Sequence, residues 1–194
     1  MTDSDKLKEP ESIWDLRRKA PLHFEAKADN ARMSAYVLSH IDNNVADRLA
    51  LAAGYGDTHS IALHEAFRRE SSIALELILK AILCIKTKRA PRNTHDVYEL
   101  WSKAGLPDLS EDDSYRLAEM TEILSWSGRY AAPTNDKNLD KPNERFEKHQ
   151  KTKPFGKLKI IAPTELGWKE FDAIYQIAVL YFWELRHDEQ ASPT

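Results

Sequence analysis

Arginine, histidine and carboxylate residues recur in this 194-residue chain at spacings that could bind or cleave a phosphodiester. His95-Asp96 follows Thr94 at the start of an amphipathic run, where a helix N-terminus attracts phosphate. The same pair also has a structural reading, with His95 donating to a neighbouring helix and Asp96 accepting first-turn amides. Arg129-Tyr130 closes a later run. Its arginine either binds an anion or complements the helix dipole in an ion pair with Glu70 or Glu76. Arg145 and His149, with Phe146, Lys148 and Lys151 around them, bring together a guanidinium, an imidazole, ammonium groups and a stacking face. Such a set suits phosphate or nucleic-acid binding.

Other candidates carry plainer readings. His59 and His64 are five apart, which turns them away from each other on a helix, unlike a metal pair at i, i+4. They read as surface histidines, and no metal site or cofactor is expected. The single cysteine, Cys84, lies in the most apolar run and reads as a small core residue in a reducing compartment. Asp112-Asp113 complements a helix dipole better than it makes a carboxylate dyad. No phosphate-cradling glycine loop, CxxC or GxSxG is present.

Residues 131–163 hold eight basic and four acidic residues, a balance of +4 in a chain whose net charge is −3. That overall charge argues against coating nucleic acid by bulk electrostatics and leaves room for a local basic surface. A stretch of this length without helical periodicity is functional or mobile more often than packed. It reads either as a binding loop or as a solvated excursion anchored by Phe146 and Phe155.

The elements that must position these groups are helices. Residues 73–85 are apolar except for Glu76 and Lys80. A helix apolar on nearly every side must be surrounded by others, and Glu76 four residues before Lys80 forms an intrahelical pair. Apolar spacing predicts a first long helix over 24–53 and a second over 58–88, capped by Asp57 or Thr58. A short helix over 95–104 is capped by Thr94 and stopped by Gly105, and a fourth over 111–127 is capped by Ser110. A last helix begins at Thr164. Only 158–161 reads as a strand. Trp101, Trp126, Trp168 and Trp183 read as core or interface anchors.

The reading is an all-α, up-and-down bundle of about five helices with a long irregular loop before the last. Residues 1–23 form a polar arm whose Ile13, Trp14 and Leu16 can pack on the body, and 24–194 form one domain. The polar N-terminus shows no signal peptide and no apolar run reaches spanning length, so a cytoplasmic, non-membrane protein is expected. The last helix carries Phe171, Tyr175, Tyr181, Phe182 and Trp183, more apolar width than one neighbour covers, which predicts a homodimer.

One ordered set of motifs adds to this. Glu70-Ser71-Ser72, the run ALELILKAIL over 74–83, a proline-containing turn, Thr94-His95-Asp96 with Leu100 beyond, and Gly128-Arg129-Tyr130-Ala131-Ala132-Pro133 resemble the HEPN superfamily. The likeness covers about a third of the chain. It implies a helical bundle, commonly dimeric. Such a bundle is either a metal-independent ribonuclease, often a toxin or defence effector, or a noncatalytic nucleotide- or RNA-binding module. The ribonucleases carry Arg, four to six residues, then His. Here Arg17 or Arg18 with His23, and Arg89 with His95, match that spacing. Pro21 and Pro91 interrupt them, so neither pair sits on an unbroken helix. Arg145 with His149 and Arg186 with His187 miss the spacing. The expectation is a noncatalytic HEPN-like module binding nucleotide, RNA or a protein partner in a prokaryotic defence or toxin–antitoxin setting. The alternatives are a ribonuclease using Arg145 and His149, and a purely structural homodimer.

Overall fold

The computed structural model describes residues 12–56, 59–128, 144, 148, 152–155, 158–161 and 164–191. Among them are seven α-helices, one π-helical turn and one two-stranded hairpin. The architecture is an all-α bundle, as the periodicity predicts. No helix among the described residues is long and apolar enough to cross a membrane.

Helix α4 (His59–Thr87) is the axis. At about 1.5 Å per residue it is on the order of 40 Å long. Its second half is wrapped: Ala74, Leu75, Ile78, Leu79, Ala81 and Ile82 are fully buried. Helix α2 (Pro21–His40) lies along it through Ala28, Ala31 and Ala35, small residues that let the two backbones approach. Proline at the first position of α2 suits a site where no amide partner is needed.

The expected helix over 24–53 is two helices. Ile41 and Asp42 are extended, and the Asp42 carboxylate accepts from the amides of Asn44 and Val45 at 2.9 and 3.2 Å. This Asx cap starts α3 (Asn43–Ala52) and wins over the continuous apolar spacing. Only Ala46 of α3 is buried. Gly54, at φ 74°, closes it with Tyr55 N–H donating to the Ala50 carbonyl.

The arm is also corrected. It contains α1 (Ile13–Arg18), capped by Ser12, and no residue of α1 is buried. Ile13, Trp14 and Leu16 are more than half exposed. At i, i+1 and i+3 these three spread around the short helix rather than sharing one narrow face, and Trp14 instead carries the Arg17 guanidinium 5.3 Å from its ring centre.

Helix α5 (Val97–Ala104) starts at Asp96 rather than Thr94 and ends at Gly105, φ 72°. A Cβ there would stand 2.9 Å from Lys86 Nζ, which donates to the Ala104 carbonyl. Helix α6 (Glu111–Glu122) is capped by Ser110 and runs into a π turn (Ile123–Ser127) sealed by Gly128 N–H on the Ile123 carbonyl. The expected strand 158–161 is present as β2 (Leu158–Ile161), paired antiparallel with β1 (Thr152–Phe155). The last helix, α7, runs Trp168–Ala191 and so starts four residues later than expected.

Phe171, Ile174, Tyr175, Ala178 and Phe182 of α7 face α4 and are buried. Two helices of the same chain share this cover, α4 and, through Arg32 over Tyr175 and beside Asp172, α2, so these side chains do not by themselves require a second copy. What α7 leaves exposed is Ile177, Leu180 and Trp183, the last 42% exposed and so not a core anchor. Trp101 is in the core, and Trp168 packs against it. The side chain of Trp126, and the caps proposed at Asp57 and Thr58, fall outside the described residues.

Candidate functional site

Glu76 and Lys80 are buried on α4, and their side chains meet at 2.5 Å, as their spacing predicts. The turn after α4 then brings His95 over the same carboxylate, with Nδ1 3.1 Å from Glu76 Oε2. A carboxylate only accepts, so the His95 Nδ1–H donates to it. His95 therefore follows its structural reading. Glu76 holds two partners, and the alternative that reserved it for Arg129 competes with both.

The N-terminus of α5 already has acceptors of its own. Asp96 accepts from Glu99 N–H at 2.9 Å, and Thr121 Oγ1 accepts from Val97 N–H at 3.1 Å. Thr94, expected as the cap, accepts the Asp96 amide instead. Of the first-turn amides, those of Val97 and Glu99 are thus answered by the chain itself.

Lys80 has three donors, and Glu76 uses one. Lys80 also lines a cavity of about 380 Å³ with Arg18, Phe24, Ala90, Pro91, Arg92 and Asn93. Among the described residues, three cations and no carboxylate line it. Arg18 is partly answered by Asp15, 3.0 Å away at the surface. Arg89 and Arg92 are exposed and have no ion-pair or hydrogen-bond partner among the described residues. On the other face of Ala90-Pro91-Arg92, a second cavity of about 390 Å³ is lined by Leu83, Arg89, Leu100 and Lys103. Chemically, this turn can hold an anion beside an apolar surface.

Sequence reasoning misses this cavity, because Arg18 and Arg89 enter it only as partners of histidines. A signal is present all the same: from Lys86 to Arg92 there are four cations and no acid. Of the residues picked instead, Lys148 is exposed. Arg129, Tyr130, Arg145, Phe146, His149 and Lys151 lie outside the described residues.

The remaining candidates have local surroundings of their own. His59 Nε2 lies 2.9 Å from Asp47 across the α3–α4 corner, and the His64 ring is tilted 38° to that of Phe67 with centroids 6.4 Å apart. No group of three or more metal-binding side chains occurs among the described residues. Cys84 is buried, and burial pushes its thiol up to about 11, so it is not a nucleophile at neutral pH. Asp113 pairs with Arg116 and with its own cap, Ser110.

A second polar seam joins α4 to α6. Arg68 pairs with Glu119, whose Oε2 is buried without a partner among the described residues. Burial raises Glu119 above the usual carboxylate range, against the lowering effect of Arg68, and also raises Glu122. Compared with protein-family models, curated proteins and solved structures, the chain matches none.

Proposed function

We propose that this chain is a noncatalytic, HEPN-like helical module that binds a phosphate-bearing ligand, a nucleotide or RNA. The observation behind this reading is the cavity lined by Arg18, Lys80 and Arg92, with no carboxylate among its described lining residues. Arg89 and Arg92, exposed and without partners among the described residues, are free to neutralise phosphate and release its counterions. Glu76 fixes Lys80 at the floor of the cavity, so one cation is preorganised before any ligand arrives.

The test is binding of a labelled oligoribonucleotide in low salt. Arg89→Glu with Arg92→Glu should weaken binding at least about tenfold. It should also flatten the salt dependence, by about 0.7 in log–log slope for each phosphate no longer neutralised. The same reversal at Lys27, exposed on α2, should change little. Absence of binding at low salt, or an unchanged salt slope in the double variant, rejects the reading.

A protein partner, including a second copy of the chain, is the second reading. Exposed apolar side chains support it: Leu49, Leu51, Tyr55 and Ile61 around α3, and Ile177, Leu180 and Trp183 on α7. Light scattering at micromolar concentration decides the homodimer. A ribonuclease reading requires Arg145 and His149, and cleavage of the labelled RNA in the same assay would favour it.

A further inference from the structure

The loop between α5 and α6 encloses a cavity of about 420 Å³ that the phosphate reading does not use. Its character is opposite to that of the cation-lined cavity. The rings of Tyr98 and Trp101 and the side chain of Leu109 form walls, and Asp108 and Glu111 stand among its lining residues. Trp101 is held in place by its indole N–H, which donates to the Pro107 carbonyl at 2.9 Å.

Two observations separate this cavity from an ordinary acidic helix start. The first concerns its charges. Asp108 and Glu111 have no ion-pair or hydrogen-bond partner through their side chains among the described residues. The nearby cations are engaged elsewhere: Arg116 with Asp113, Lys103 with Glu99, and Lys86 with the Ala104 carbonyl. The second is Ser114. It is only 5% exposed and lines the cavity, yet its hydroxyl makes no hydrogen bond to the described residues. Ser34 and Ser72, by contrast, donate to a carbonyl of the preceding turn, while Ser71 is unpartnered among the described residues but lines no such cavity. The Ser114 hydroxyl is reachable from the cavity rather than sealed, so it can meet a ligand atom there.

We infer that this cavity binds a primary ammonium group carried on a short aliphatic stem. Two carboxylates supply charge-assisted acceptors, the aromatic walls favour both the cation and its methylenes, and Ser114 Oγ supplies a third acceptor. A free diamine and a lysine side chain both present such a stem, and the chemistry that recognises them is the same.

The experiment is calorimetric titration of the full chain at low salt with 1,5-diaminopentane, with a lysine-containing peptide, and with 1,5-pentanediol as the uncharged control. The diamine should bind and the diol should not. Asp108→Asn with Glu111→Gln should weaken amine binding about tenfold or more. Ser114→Ala should weaken it less, by about threefold. The matching neutralisation on α2, Glu25→Gln with Asp29→Asn, should leave it unchanged. Tighter binding of the peptide than of the diamine assigns the group to a protein lysine, and the reverse assigns it to a free amine. Equal binding of the diol overturns the inference. So does absence of amine binding, or an equal loss in the α2 control, which would mean diffuse attraction. None of these outcomes depends on oligonucleotide binding, so the two readings fail separately.

Discussion

Helix α5 is flanked by two turns of opposite charge. The turn before it carries Lys88, Arg89 and Arg92, and the turn after it leads through Asp108 into Glu111, Asp112 and Asp113. Local helix electrostatics accounts for part of each. The cations follow the C-terminus of α4, and the three acids open α6, the ends where a macrodipole favours them. That effect fades within one turn. Arg92 lies five residues beyond Thr87, the last residue of α4, and Asp108 lies outside the first turn of α6. The partners sort the same way. Lys88 pairs with Glu189, and Asp113 pairs with Ser110 and Arg116. Arg92 and Asp108, the two charges that helix ends do not explain, have no partner among the described residues. Arg89 and Glu111, which helix ends do explain, also lack one, and all four line cavities, so pairing follows the helix ends only in part.

The largest expected effect tests whether Lys80 is part of the fold or only of the basic turn. Glu76→Ala would leave a buried ammonium and an imidazole without their acceptor. Removing one partner of a buried pair costs about 3–5 kcal/mol. Lys80→Met keeps the volume and removes the charge, so it should cost less. Urea unfolding of both variants gives the comparison. If both are neutral, the central helix is less enclosed than its burial implies. If Lys80→Met keeps stability and loses oligonucleotide affinity, the cavity floor is functional.

A smaller effect separates paired from unpaired acids. Ser110 accepts from Asp113 N–H and donates to the Asp113 carboxylate. Ser110→Ala should cost about 1 kcal/mol, the usual loss on removing an N-cap. Asp108→Asn, at a surface site with no partner among the described residues, should fall within about 0.5 kcal/mol of wild type. Thermal melts of the two variants are sufficient. A loss at Asp108 equal to that at Ser110 would mean that the acid serves the helix and not a ligand.

How much of this was legible in the sequence depended on distance along the chain. The buried pair at Glu76 and Lys80 is an i, i+4 relation on one helix and was readable. The same holds for Ser110 as a cap and Gly105 as a stop. The break at Ile41-Asp42 was hidden because the apolar spacing continues across it, and an Asx cap leaves no mark that aspartate elsewhere lacks. The approach of His95 to Glu76, and of Arg18 to Arg92, depends on how the turn and the arm fold back. No periodicity reports that. The candidate site is made almost wholly of such relations, which is why charges in the 131–163 stretch draw the eye before Arg92 does.

The smallest effect concerns acids at the wrong end of the same helix. Glu111 opens α6, where the dipole welcomes it, and Glu122 closes α6, where it does not. Burial raises Glu122 above the usual carboxylate range, with Arg68 pulling the other way. A carboxyl whose folded value is raised favours the folded state in its protonated form. That contribution is fully present below the unfolded value of about 4.5 and is lost as pH rises through the raised folded value. Glu122→Gln is neutral at every pH and cannot lose it. The stability of the variant relative to wild type should therefore increase from about pH 4 to about pH 8. Glu119 is a poorer probe, since its removal also strands Arg68. Denaturant melts across that range measure the difference, and a decrease with rising pH would show that Arg68, rather than burial, governs Glu122.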